Sequence, residues 1–133
     1  RKQVAYIYSH SSQRLNALNL PGLAFRPIHF TPFYSTGKGT RLQGVQVHIT
    51  NRDKATLSEV QFYVIQELAS LYPQHKLFDK AEQSRLNMVD KVCGTSQIRQ
   101  LFTKRYRWED ARDYWNKGVG AFKQLSRQYY LYP

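Results

Sequence analysis

The chain of 133 residues is poor in cysteine and in long apolar runs, and each shortage excludes a class of protein. Its single cysteine, Cys93, rules out an internal disulfide and a cysteine-based zinc site. Because no run of about 18 apolar residues is present, no segment is expected to span a membrane. With 41% hydrophobic and 22% charged residues, the composition is too apolar for a disordered protein. The length predicts one domain over residues 1–133.

Acidic residues are scarce and unevenly distributed. Twenty Lys and Arg residues against nine Asp and Glu residues give a formal net charge of +11, and residues 1–52 contain no carboxylate. A glycosidase, esterase or protease site needs a carboxylate, or a nucleophile with a base. The chain alone is therefore not expected to hold a complete active site. Its positive field is suited to polyanions such as nucleic acid, acidic cell-wall polymers or phosphorylated lipids.

Sequence motifs for nucleotide binding, serine hydrolysis and zinc proteolysis are also missing. His29 and His48 could share a metal if their strands were neighbours, but no third ligand is indicated, so neither metal nor cofactor is predicted. Cys93 is expected to be a buried structural residue. The chain begins at Arg1, without an initiator Met or an apolar signal core, and we expect it to be a piece of a longer protein.

Hydrophobic periodicity predicts an α+β fold, with a small antiparallel sheet packed with helices and a long C-terminal helix. Strands are predicted at residues 4–8, 23–30 and 44–50. Helices are predicted at residues 11–19, from a capping box at Thr56 to Leu71, after Thr95 or Ser96, and at residues 108–129. Residues 78–92 are expected to be irregular, with one helical turn.

Two surfaces are candidates for binding. On the strand at residues 44–50, Gln46 and His48 share a polar face near a loop that contains Tyr34, Ser35 and Lys38. Such a mixture of donors, acceptors and an aromatic ring suits a polar, partly anionic ligand such as a sugar, and the alternative is an ordinary solvated sheet face. The three apolar residues that alternate with them are expected to pack on the core.

The second candidate surface is the segment 104–108, in which cations alternate with aromatic residues. This pattern is typical of proteins that stack single-stranded nucleic acid. The alternative is a solvated basic turn in which Trp108 anchors the core.

Several segments in order resemble one known family. They are residues 20–27 (L-P-G-L-A-F-R-P), 30–35 (F-T-P-F-Y-S), 44–52 (G-V-Q-V-H-I-T-N-R), 90–95 (D-K-V-C-G-T) and the ending around Trp115, Phe122 and residues 130–133 (Y-L-Y-P). Over about residues 12–133 the chain resembles the C-terminal domain of the NamZ family, the exo-β-N-acetylmuramidases that trim peptidoglycan fragments. Single segments are weak evidence, but their order and spacing together are specific.

The resemblance implies a two-domain enzyme, secreted or periplasmic. In that family a Rossmann-like N-terminal domain carries the catalytic glutamate, and the C-terminal domain closes the cleft and helps to hold the sugar. The match of Gln46 and His48 to the family's G-V-Q-x-H implies that both contact the ligand. Where the family commonly has F-S-K, this chain has Tyr34-Ser35-Thr36, so a lysine contact is not carried over.

From the resemblance, we expect the chain to be the auxiliary domain of a peptidoglycan-directed exo-N-acetylmuramidase, without catalytic residues of its own. Gln46 and His48 would bind the muramyl sugar, Tyr34 and Ser35 would line the rim, and Arg41 or Arg52 would supply positive charge. The alternative is a basic nucleic-acid-binding module. A third interpretation, a domain for protein–protein contact, would be marked by an exposed apolar patch.

Overall fold

The fold is α+β, as predicted, and combines one antiparallel hairpin with helices. The computed structural model describes residues 2–35 and 37–132, with side chains from residue 10 onward, so Arg1, Thr36 and Pro133 lie outside the described residues. The elements are α1 (Lys2–Ala17), β1 (Leu23–Phe30), β2 (Leu42–Ile49), α2 (Leu57–Leu71), α3 (Gln83–Cys93), α4 (Gln97–Arg105), α5 (Glu109–Trp115) and α6 (Val119–Arg127). No helix in the described part of the chain has the length and apolarity needed to cross a membrane.

The chain forms two compact units, Arg1–Lys76 and Leu77–Pro133. The first contains the hairpin with α1 and α2, and the second contains α3 to α6. The single domain expected from the chain length stays a prediction.

The hairpin is fixed at its open end by Gly22. The Gly22 carbonyl accepts hydrogen bonds from the backbone N–H groups of Thr50 (2.8 Å) and Asn51 (3.2 Å). Gly22 has φ +72°, and a Cβ atom added there would lie 2.2 Å from the Asn51 carbonyl oxygen. Only glycine combines this left-handed conformation with so close an approach. Gly22 therefore joins the start of β1 to the end of β2.

The outer edge of β1 is covered by a side chain from α1. The Asn16 amide donates to the Phe25 carbonyl oxygen at 2.7 Å and accepts from the Phe25 N–H at 2.9 Å. Alternate residues of an antiparallel strand turn their backbone groups toward the partner strand. The backbone groups of Phe25 point away from β2, so those of Pro27, two residues later, also point away from β2. The missing N–H of Pro27 therefore interrupts no hydrogen bond to β2. Pro27 therefore has its nitrogen at the outer edge of the sheet, where a proline is tolerated.

The strand predicted at residues 4–8 is wrong, because these residues belong to α1. Their β-branched and aromatic side chains favour a strand locally, but they lie inside a continuous 16-residue helix. A helix extends one hydrogen bond at a time once it is nucleated, so a short run with strand propensity can be absorbed into it. The helix predicted at residues 11–19 is the C-terminal part of α1, which ends at Ala17, shortly before Pro21.

An ion pair between an exposed arginine and a buried carboxylate links α1 to α2. Arg14 Nε donates to Glu67 Oε2 at 2.6 Å, and Arg14 Nη2 donates to Ser70 Oγ at 3.0 Å. Glu67 is buried, and its second carboxylate oxygen accepts a hydrogen bond from Gln66 Nε2 at 3.1 Å. Removing one partner of such a pair leaves a buried charge uncompensated. The pair therefore holds the two helices of the first unit in register around Leu15 and Phe62, which are both buried.

The second unit has an aromatic core. Phe102 contacts Phe78 (ring centroids 6.1 Å apart) and Tyr106 (5.5 Å), and Trp108 meets Trp115 edge to face at 5.8 Å. Residues 78–92 were expected to be irregular with one helical turn, but most of them belong to α3, which ends at Gly94 in the left-handed conformation that commonly terminates a helix. The short helix predicted after Thr95 is α4.

The C-terminal segment is helical, as predicted, but with an interruption. The helix expected over residues 108–129 is formed by α5 and α6, which are separated by a turn that ends at Gly118, with φ +79°. The apolar residues keep their helical spacing across the turn, and for this reason the sequence pattern predicted one helix. No residue of α6 is buried.

Candidate functional site

Three polar side chains meet on one face of the hairpin. In the strand register Arg26 lies opposite Gln46, and His48 follows two residues later on the same face. Gln46 Oε1 accepts a hydrogen bond from Arg26 Nη2 at 2.7 Å and lies 3.2 Å from His48 Nε2. We call Arg26, Gln46 and His48 the sheet-face cluster. Sequence reasoning found Gln46 and His48 but missed Arg26, because only the strand register brings it beside them.

The sheet-face cluster is rich in hydrogen-bond donors. With Gln46 Oε1 occupied, the Gln46 amide N–H groups face no partner among the described residues, and the guanidinium of Arg26 has further N–H groups. Gln46 and His48 are half-buried and Arg26 is exposed. A cation and amide donors on a carboxylate-free sheet suit an anionic or hydroxyl-bearing ligand.

The opposite face of β2 is less buried than expected. Val47 is 41% and Ile49 47% exposed, although both were predicted to pack on the core with Val45, which is half-buried. On β1 the deeply buried side chain of this face is Phe25. The apolar face of the hairpin is therefore covered only in part.

Tyr34 and Ser35 lie in the loop that connects the two strands. Its backbone is held by hydrogen bonds from the Lys38 N–H to the Ser35 carbonyl (3.2 Å) and from the Gly39 N–H to the Pro32 carbonyl (3.0 Å). Ser35 has φ +65°, an uncommon conformation for a residue other than glycine. Tyr34 is exposed and its ring extends from the turn.

The six predicted site residues do not form a single cluster. Tyr34, Ser35 and Arg41 lie at the loop end of the hairpin and Arg52 lies beyond its open end, whereas Gln46 and His48 lie along β2 between them. A strand rises about 3.4 Å per residue, so Gln46 lies roughly 14 Å along β2 from Leu42, which is at the loop end of the strand. Among the described residues, no hydrogen bond or ion pair joins the loop or Arg52 to the sheet-face cluster.

The structure separates the two histidines that were considered as a metal pair. His48 shares a face with Arg26, whereas His29 pairs with Gln43 and lies on the opposite face. One ion cannot contact both side chains through the sheet. Among the described residues, no group of three metal-ligating side chains is found either.

A small cavity of about 60 Å³ lies near Gly22, and it is lined by Leu20, Pro21, Leu23, Thr56, Glu59 and Tyr63. Pockets that enclose a small-molecule ligand measure about 300 Å³ or more. This cavity is too small for a sugar.

The segment 104–108 has the structure of a packed turn. Trp108 is 1% and Tyr106 4% exposed, so neither ring is available to stack a base. Arg105 is paired with Asp110 and Glu109, and the Arg105 hydrogen bond holds the pKa of Asp110 below its usual value. The expectation of a nucleic-acid surface has no support here, and the core-anchor interpretation of Trp108 is confirmed.

Cys93 is half-buried rather than fully buried. Burial raises the pKa of its thiol, with a smaller contribution from the nearby Asp90 carboxylate. Asp90 itself receives two hydrogen bonds from Arg99, at 2.8 and 2.6 Å, which hold its pKa below the ordinary value. The thiol is therefore protonated and poorly nucleophilic at neutral pH, as expected for a structural cysteine.

Comparison with known proteins relates the chain to peptidoglycan hydrolases. It is 31% identical over 120 residues to the peptidoglycan β-N-acetylmuramidase NamZ of Bacillus subtilis, an alignment that covers 90% of this chain and 28% of that protein. It also matches the crystal structure of a DUF1343 family protein from Bacteroides fragilis, with 54% identity and a TM-score of 0.91, covering 94% of this chain and 33% of the other. The chain thus spans about a third or less of the length of both relatives.

A family model also matches most of the chain. The model described as exo-β-N-acetylmuramidase NamZ, C-terminal, matches residues 5–132, across both compact units. The chain therefore belongs to the NamZ C-terminal family.

Proposed function

We propose that the chain is the substrate-binding part of a peptidoglycan exo-β-N-acetylmuramidase, and that its sheet-face cluster holds the terminal N-acetylmuramic acid. The observation that carries the proposal is the convergence of Arg26, Gln46 and His48 on one sheet face in a chain of this family. The ligand is a polar sugar with a lactyl carboxylate, and the cluster offers a cation with several N–H donors.

Within the cluster, Arg26 binds the lactyl carboxylate. A guanidinium presents paired N–H donors that match the two oxygens of a carboxylate. Gln46 positions the guanidinium through the 2.7 Å hydrogen bond, and its amide N–H groups remain for the N-acetyl or hydroxyl oxygens of the sugar. His48 supports Gln46 from the other side through the 3.2 Å contact.

The other predicted residues have more distant roles in this proposal. Tyr34 and Ser35 form the rim at the loop end of the hairpin, where the exposed ring of Tyr34 packs against the sugar next to the terminal one. Arg41 and Arg52, at opposite ends of the hairpin, contribute positive field rather than direct contacts. Arg26 therefore takes the charge-pairing role first expected of Arg41 or Arg52.

Hydrolysis takes place on a second domain of the same protein. The first 52 residues contain no carboxylate, and the cluster has no group that acts as the acid of a glycosidase. Both relatives are about three times as long as this chain or longer. The N-terminal Rossmann-like domain of the family, with its catalytic glutamate, would face the cluster across a cleft. Because the substrate is cell-wall material, the enzyme would be secreted or periplasmic.

The test uses the full-length protein that contains this chain and a chromogenic muramyl glycoside. Arg26→Gln, Gln46→Ala and His48→Ala should each lower kcat/KM at least tenfold, or about 1.4 kcal/mol of transition-state stabilisation. Arg85→Gln, which removes an exposed arginine from α3, is the matched control for the loss of one charge and should leave kcat/KM unchanged.

A matched pair of ligands tests the role of the carboxylate. In NMR titrations of the chain at about 0.15 M salt, N-acetylmuramic acid should shift resonances of Arg26, Gln46 and His48, whereas N-acetylglucosamine, which lacks the lactyl group, should shift them less. Equal shifts with both sugars would contradict the role of Arg26. Unchanged kinetics in all three variants would remove the site, and a reading frame with only a short extension before Arg1 would contradict the two-domain enzyme.

A further inference from the structure

An amphipathic helix near the C-terminus is exposed on its apolar side. In α6 and the turn after it, Val119, Phe122, Leu125 and Tyr129 recur at intervals of three and four residues, which places them on one face. Phe122 is 68%, Leu125 56% and Tyr129 73% exposed. We call these four residues the α6 face. Lys123 and Arg127 flank the α6 face on the side of Val119, and Gln124 lies on the opposite side of the helix.

The α6 face is comparable in size to the largest apolar patch of a typical monomer, and such a patch is often functional. Since an aromatic side chain presents about 150–250 Å², the four residues expose on the order of 400 Å² of largely apolar surface. The next three residues, Tyr130, Leu131 and Tyr132, are also exposed and apolar or aromatic. Contiguous patches of this size commonly mark binding sites. A nine-residue helix is also too short to be stable on its own propensity, so its stability requires packing.

We propose that the α6 face docks onto the part of the full-length protein that lies outside this chain. The relatives are about three times as long as the chain or longer, so a surface of the same polypeptide is available. A tethered domain is present at an effective concentration in the millimolar range, at which a modest apolar patch is sufficient for stable docking. The complementary surface is an apolar groove with acidic residues at its rim, which would pair with Lys123 and Arg127.

A second copy of this chain is a less favourable partner for the α6 face. Each copy carries a formal net charge of +11, so two copies repel one another. In a symmetric dimer through α6, the rims with Lys123 and Arg127 would also face each other. The inference depends on the second domain of the proposed function but not on the sugar site, which lies on the hairpin.

The first measurement is hydrogen–deuterium exchange of the segment 119–132, in the full-length protein and in the 133-residue chain. Docking should slow backbone exchange in this segment at least tenfold in the full-length protein, because local opening then requires undocking. Equal exchange in the two proteins would overturn the proposal without any substitution.

Variants then test the face. The double substitution Phe122→Asp and Leu125→Asp is compared with Gln124→Asp and Gln128→Asp, which adds the same two negative charges at exposed positions on the polar side of the same segment. In the full-length protein only the first pair should restore fast exchange of residues 119–132 and lower the melting temperature, by about 5 °C or more. In the 133-residue chain, where the face is exposed, the two pairs should have similar effects.

Sedimentation of the 133-residue chain tests whether a second copy of the chain covers the α6 face. A monomer at 100 µM agrees with the proposal, and a dimer that the Phe122→Asp and Leu125→Asp pair disperses would overturn it in favour of a second copy. If docking failed but Arg26→Gln still lowered kcat/KM, the proposed sugar site would stay in place. The two proposals can therefore fail separately.

Discussion

At the scale of single residues, the clearest pH effect is expected at Tyr106. Its hydroxyl donates to Asp79 Oδ1 at 2.7 Å in the core of the second unit, and burial, assisted by Asp79, raises the pKa of Tyr106 to about 12. Since the unfolded value is 10.0, the contribution of Tyr106 to stability is complete below pH 10 and is lost as the pH rises toward 12.

Tyr106→Phe should therefore destabilise the protein at neutral pH by about 1 kcal/mol, the net value of a typical hydrogen bond. The difference in unfolding free energy between wild type and variant should shrink between pH 10 and 12. Urea unfolding followed by tryptophan fluorescence measures it, because both tryptophans lie in the second unit. Tyr34→Phe, at an exposed position of the loop, is the control. A constant difference across this pH range would contradict the assignment.

The sheet-face cluster shows how far residue-level prediction extends. The alternation of β2 correctly placed Gln46 and His48 on one face, because side chains in a strand point alternately to its two sides. Arg26 could not be assigned from the sequence, since its place beside Gln46 depends on the register across an 11-residue connection between the strands. Alternation alone also could not show that Val47 and Ile49 would be half exposed.

At the scale of elements, the hairpin depends on Gly22. Gly22→Ala should cost about 2 kcal/mol or more, because the left-handed conformation costs an L-residue about 1–2 kcal/mol and the Asn51 carbonyl must also move. Gly39→Ala is the matched control, since Gly39 has φ +74° but nothing within 4 Å of the added Cβ. Chemical unfolding followed by far-UV circular dichroism measures both. If the two substitutions lowered the free energy of unfolding equally, the added Cβ atom would be accommodated beside the Asn51 carbonyl without a further loss of stability.

Elements with clear start and stop signals were predicted well, and those that depend on context were not. The capping sequence at Thr56 and the Tyr72-Pro73 ending gave the bounds of α2, although the Thr56 side chain makes no capping hydrogen bond. Residues 4–8 have strand propensity but continue a helix whose later residues are buried. Gly118 is the sequence signal for the break between α5 and α6, and the apolar periodicity across it concealed that signal.

At the scale of the whole molecule, net charge and specific contact should have separable effects. Twenty basic residues against nine acidic ones give a field that attracts any anionic cell-wall polymer. Salt screens this attraction, since the Debye length falls from about 10 Å at 0.1 M to about 3 Å at 1 M. Retention of the chain on insoluble peptidoglycan should therefore fall at least tenfold between 0.05 and 0.5 M salt.

Arg26→Gln and Arg85→Gln should weaken this retention equally, because each removes one of 20 cations. In the full-length enzyme, only Arg26→Gln should lower kcat/KM, because it alone removes a group that pairs with the lactyl carboxylate. If Arg26→Gln abolished retention while Arg85→Gln did not, the sheet-face cluster rather than the field would govern attachment to the wall. If the two variants had the same kcat/KM, positive field alone would account for the role of Arg26, and the directed contact would be wrong.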